Sequence, residues 1–180
     1  MITREQLKGS YSEGEALAIY NEVKKQNDFV GFCKNFMYDE DYQVARNALW
    51  GLTKATDKEL SQLLPIMEEI IELATKTDNS SVRRLSLNLV ERLCGYKPSV
   101  INTDFVDNHV EFLDFCLENM ADIEVYPGIQ SLCMKLAYRM CKVYPELLEE
   151  LKRTVEAMEI DYYKPAVKSV RSRILSGKLK

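Results

Sequence analysis

Residues 42–52 read YQVARNALWGL, and a comparable phrase returns three times: SSVRRLSLNLV at 80–90, PGIQSLCMKLA at 127–137 and KPAVKSVRSRIL at 164–175. Apolar residues recur in each at the spacing of a helix buried along one side, and strict alternation is hard to find. Anchored on their β-branched residue, the four copies align Val44, Val82, Ile129 and Val167, which stand 38, 47 and 38 residues apart. Self-similarity at such a period is the signature of stacked supersecondary units. The longer middle interval fits the extended connection 95–102 and a longer third hairpin.

Helices are expected between and around these copies. One spans 12–26, with Leu17, Tyr20 and Val23 on its apolar side, and a short one after Asp28 carries Phe29, Phe32, Cys33 and Phe36. Asp41 suits the N-cap of a helix over 42–55. Asp57 opens another that runs through Pro65 to Lys76, with a kink near Leu64–Pro65 because proline removes a backbone donor. Ser80 or Ser81 caps 82–94, which Gly95 closes. Helices over 103–120 and 126–143 follow, Pro127 standing in a first turn. The last pair is 145–158 and 164–175, closed by Gly177. About ten helices on short links pack as antiparallel neighbours. The expected fold is an all-α superhelix of stacked hairpins, one domain over 1–180 with capping helices in 1–40 and repeats in 41–177.

The phrases resemble the HEAT/armadillo-like repeat family, whose inner helices open with an aspartate-containing turn, then a valine and basic residues. Asp39 or Asp41 before Val44-Ala45-Arg46 and Asp78 before Val82-Arg83-Arg84 match well; Ile129-Gln130 and Val167-Lys168 match loosely. The resemblance covers roughly Asp28 to Gly177. It implies a right-handed solenoid with the repeated helices lining the concave side.

Composition agrees: 46% hydrophobic and 29% charged residues, with only seven glycines and five prolines in 180 positions, favour helices over a turn-rich β fold. The five cysteines (Cys33, Cys94, Cys116, Cys133, Cys141) form no CxxC pair and sit among apolar neighbours, so they read as reduced core thiols. The polar opening MITREQLKGSYSEGE is not a signal peptide, and no apolar run reaches the ~18 residues of a membrane span. A cytoplasmic, non-membrane protein is expected.

Charge is polarised by helix. Segments 57–76, 102–124 and 145–161 carry a net −14, whereas the repeated segments 42–56, 80–95, 126–144 and 162–180 carry +13, Glu91 being their single acid. On each repeated helix the residues 2, 6 and 10 after the anchor share a side turned away from the apolar stripe. They are Arg46, Trp50, Lys54; Arg84, Asn88, Arg92; Ser131, Lys135, Arg139; and Ser169, Arg173, Gly177. Seven of these twelve are basic and none is acidic, which on the solenoid reading makes one positive groove. Trp50, the only tryptophan, is expected outside the core, with Arg46 as a cation–π partner. Arg83, Lys168 and Arg171 lie nearer the packing side and suit intramolecular pairing.

Chemistry is absent from the motifs. His109, the lone histidine, has no second imidazole with which to build a His-based metal site and reads as exposed and structural. Asp107, Glu111, Asp114 and Glu118 run along one helix face, where carboxylates diverge rather than chelate. No phosphate loop, dinucleotide fingerprint, HExxH or GxSxG occurs. No cofactor or metal is expected. The function expected is a non-catalytic binding or scaffold module that takes an acidic protein segment on its basic face. The alternative is contact with a nucleic-acid backbone, as in the HEAT-like DNA-alkylation-repair glycosylases, which similarly use a positive concave face with aromatic residues. A third expectation is a subunit of a larger assembly, with the basic segment 164–180 as a cap or contact arm.

Overall fold

The computed structural model describes residues 2–9 and 12–179; Lys180 of the basic segment lies outside them. They are helical throughout, without a strand, and fall into two compact units, Met1–Tyr96 and Lys97–Lys180.

The first unit holds α1 (Arg4–Leu7), α2 (Glu13–Gln26), α3 (Phe29–Phe36), α4 (Tyr42–Leu52), α5 (Asp57–Leu60), the 3₁₀ segment Ser61–Ile66, α6 (Met67–Lys76) and α7 (Ser80–Tyr96). α2, α4 and α7 lie side by side, and α3, the 3₁₀ segment and α6 pack behind them. Gly51 lets α2 approach α4 closely, because a Cβ there would stand 2.5 Å from Cγ2 of Ile19. The expected apolar side of α2 shifts accordingly: Ala16, Ile19, Tyr20 and Val23 are buried, while Leu17 is 48% exposed.

Local chemistry sets the ends. Ser12 and Glu15 form a reciprocal capping box, and the carboxylates of Asp28 and Asp41 accept from the amides of Gly31 and Gln43. The helix expected over 57–76 is three pieces. Its cap is Thr56, boxed with Glu59, and Asp57 is already helical. Pro65 removes a donor and crowds the carbonyl four residues back, so 61–66 tightens to 3₁₀ before α6 restarts. At α7 the cap is Asn79, whose Oδ1 accepts from the amides of Ser81 and Val82, rather than Ser80 or Ser81. Gly95 does not end that helix, which continues through Tyr96. α1 went unforeseen, although Thr3 and Gln6 box its first turn.

The second unit contains the 3₁₀ turn Pro98–Val100, α8 (Thr103–Asn108), α9 (Val110–Ala121), α10 (Pro127–Cys141), α11 (Pro145–Ala157), the 3₁₀ turn Ile160–Tyr162 and α12 (Pro165–Leu175). α10 packs between α9, α11 and α12. The single helix expected over 103–120 breaks at His109, which leaves the helical region with φ −124°. Its ring stacks on Phe105 at 4.1 Å and Nδ1 lies 2.7 Å from the Phe105 carbonyl, so it is structural but half-buried rather than exposed. Gly177 closes α12 at φ 67°, with Lys178 N–H bonded to Arg173 O and Gly177 N–H to Ile174 O. That is the Schellman pattern, which favours glycine in the left-handed region.

Candidate partner-binding face

In a stack of helices each outer helix leaves its last carbonyls without intrahelical donors. Polar side chains of the neighbouring helices supply several of them here. Asn47 of α4, buried, donates to Leu7 O at 2.7 Å and Gly9 O at 3.1 Å, closing α1. Arg83 of α7 donates to Ala74 O and Thr77 O at the end of α6. In the second unit Gln130 of α10 reaches Asp122 O at 2.6 Å, and Arg171 of α12 reaches Val155 O and Glu156 O, both at 2.9 Å. A guanidinium at a helix C-terminus also meets the negative end of the macrodipole.

Two residues expected on the binding face are engaged within the chain, Arg92 at a helix end and Lys54 in an ion pair. Arg92 donates to Thr53 O at 2.9 Å, Ala55 O at 2.6 Å and the Asp57 carboxylate at 2.7 Å. Lys54 pairs with Glu13 of α2 and lies 5.5 Å from the Trp50 ring centroid. The cation over Trp50 is therefore Lys54, one turn on, and not Arg46, whose Nε donates to Asn47 Oδ1 at 3.0 Å.

What remains accessible is narrow. Beyond the first two residues of α4, only Arg46 and Trp50 escape full burial. On the neighbouring α7, Arg84 is exposed and Asn88 half-buried, and Arg84 has no ion pair among the described residues. In the second unit the stripe is as clear: beyond Pro127 and Gly128, α10 reaches solvent only at Ser131, Lys135 and Arg139, all half-buried. The Ser131 hydroxyl donates to Gly128 O at 3.1 Å. On α12, Ser169 and Arg173 are exposed, while Gly177 serves the terminal turn.

Apart from Glu91 on α7, no acidic residue lies on α4, α7, α10 or α12. Asp107, Glu111, Asp114 and Glu118 are exposed on α8 and α9, and Asp107 accepts from the Tyr144 hydroxyl at 2.7 Å, which holds that phenol above its usual range. Glu59 is the most perturbed carboxylate, lowered to about 2 by the Thr56 amide first, then by Lys24, the Thr56 hydroxyl and Tyr20. All five cysteines are buried thiols outside any disulfide; burial pushes Cys33 up to about 12 and Cys141 to about 11. Among the described residues no group of histidine, cysteine and carboxylates could hold a metal, and no helix is long and apolar enough to cross a membrane.

Helical hairpins stacked through their repeated helices define a helical-repeat protein. The HEAT repeat domain family matches residues 3–178, and the chain belongs to that family. HEAT repeats are helical scaffolds that mediate protein interactions. No curated protein and no solved structure matches the chain.

Proposed function

We propose that the chain is a non-catalytic scaffold that binds an acidic segment of a partner protein on the accessible stripe of α4 and α7 in the first unit, with α10 and α12 offering a stripe of the same character in the second. The observation that carries this reading is composition: on α4 and α10 the stripe left to solvent is Arg46 and Trp50, then Ser131, Lys135 and Arg139, without a carboxylate. Cations left on the open stripes of α4 and α10, whose other positions beyond the first turn are buried, favour anionic contacts there. Arg84 and Arg173 are exposed and supply charge, whereas Arg92 is committed to the end of α4 and Lys54 to Glu13. Trp50 adds a flat apolar surface of the kind that anchors interfaces. Buried thiols outside any disulfide suit a reducing compartment, and we propose the cytoplasm.

The test is fluorescence anisotropy with a labelled peptide alternating glutamate and leucine, set against a labelled DNA duplex. The expected result is peptide binding that Arg84→Glu weakens about tenfold, a loss of about 1.4 kcal/mol. Arg173→Glu is expected to act in the same direction. Binding to duplex alone, with affinity falling steeply as salt rises, would replace this reading with phosphate recognition. Binding to neither probe overturns both.

A further inference from the structure

The α3–α4 turn and the C-terminal half of α6 border an open pocket of about 660 Å³ whose lining includes none of the residues of the basic stripe. Its volume falls in the range of roughly 300–1,000 Å³ common for ligand pockets. The floor is apolar, formed by the buried Met37, Ala45, Leu73 and Val82. Two aromatic side chains line it, Tyr38 and Tyr42, each 51% exposed. The Tyr38 ring is held by its hydroxyl, which donates to Glu69 O at 2.8 Å.

The rim is acidic: Asp39, Glu40, Glu69 and Glu72 stand against the single cation Lys76. Two of these carboxylates already hold cations from the chain itself. Arg4 grips Asp39 through both Nε, at 2.7 Å, and a terminal nitrogen, at 2.8 Å, and Lys34 pairs with Glu69 at 2.7 Å. The other two remain open to exchange. Glu40 has a side chain 95% exposed and touches Arg4 at 3.9 Å, and Glu72 pairs with Lys76 across one solvated helix turn. Exposed pairs of this kind are weakly held.

We infer that this cavity binds an arginine side chain carried by an extended segment of a partner protein. The aliphatic stem covers the apolar floor, the guanidinium plane lies against the exposed tyrosine rings, and Glu40 and Glu72 supply the counter-charge. Arginine fits better than lysine because its planar fork stacks on aromatics and meets carboxylates in pairs. Arg4 on Asp39 already shows that geometry on this rim. Four carboxylates against the one lining cation, Lys76, disfavour a nucleic-acid backbone, and a neutral apolar peptide offers the weakly held Glu40 no counter-charge.

The experiment is an NMR titration of the ¹⁵N-labelled full chain with N-acetyl-Leu-Arg-Leu-amide and with its citrulline counterpart, a neutral isostere. The expected result is amide shifts confined to 37–45 and 69–82 with the arginine peptide, and about tenfold weaker binding of the citrulline peptide. Glu40→Gln with Glu72→Gln, both at exposed positions, is expected to reduce arginine binding about tenfold and leave the citrulline peptide unchanged. Equal shifts from both peptides, shifts centred elsewhere, no shift from the arginine peptide up to about 10 mM, or unaltered binding by the double variant would each overturn the inference.

Discussion

Asn47, on α4, donates its side-chain amide to the main-chain carbonyl of Leu7 at 2.7 Å, across 40 residues of sequence. A second bond to Gly9 O makes this one buried residue the closure of α1. Asn47→Leu keeps the volume and strands both carbonyls. It is expected to cost about 2 kcal/mol in urea denaturation, the penalty of unsatisfied buried acceptors. Amides of residues 4–9 are expected to exchange faster in the variant. Unchanged stability would mean that water replaces the amide without penalty.

Arg92 and Arg84 belong to the same helix and carry the same charge, but they do different work. Arg92 spans two carbonyls at the end of α4 and the Asp57 carboxylate, whereas Arg84 is exposed. Arg92→Ala is expected to destabilise the fold by about 1–2 kcal/mol, and Arg84→Ala to stay within about 0.5 kcal/mol. Arg92→Lys should recover only part of the loss, since an ammonium cannot span the same three acceptors in one plane. Thermal melts of the three variants decide the assignment.

Glu59 links α2 to α5 by accepting from the Thr56 amide and Tyr20 and pairing with Lys24. Its pKa falls from 4.5 to about 2, so the folded chain favours the ionised form. That contribution is fully present above the unfolded value near 4.5 and disappears as pH falls through about 2. Glu59→Gln is therefore expected to be less stable than the natural chain at pH 7, with the gap closing between those two values. A gap that stays constant with pH would show that the carboxylate's charge contributes nothing.

The inner helices were legible because their burial is one-sided and periodic. On α10 nothing but Ser131, Lys135 and Arg139 breaks the buried run after its first two residues, and the same i, i+4, i+8 spacing is visible in the string PGIQSLCMKLAYRM. Helix breaks were harder to read. The stop at His109 depends on its ring stacking on Phe105 and bonding the Phe105 carbonyl, a local alternative to the helix that a periodic pattern does not reveal. The capping residues Thr56 and Asn79 lay one position or more before the expected caps, within the ordinary uncertainty of helix ends. What no pattern could reveal was which cations the fold consumes. Lys54 meets a glutamate 41 residues away and Arg92 meets carbonyls 37 and 39 residues away, so a helical wheel gives their direction and not their partner. The acidic pocket is illegible for the same reason, since Tyr38 and Tyr42 come from the α3–α4 connection and Glu72 from α6.

Trp50 is the only tryptophan in the chain and sits on the accessible stripe of α4, so its emission reports the proposed binding face without a label. The decisive measurement is a titration of Trp50 fluorescence with the glutamate–leucine peptide and with a glutamine–leucine control at low salt. The expected result is a saturable change with the acidic peptide alone, weakened by added salt and by Arg84→Glu. An unchanged Trp50 signal at saturating peptide, or the same response to both peptides, would contradict a basic face built to hold an acidic partner.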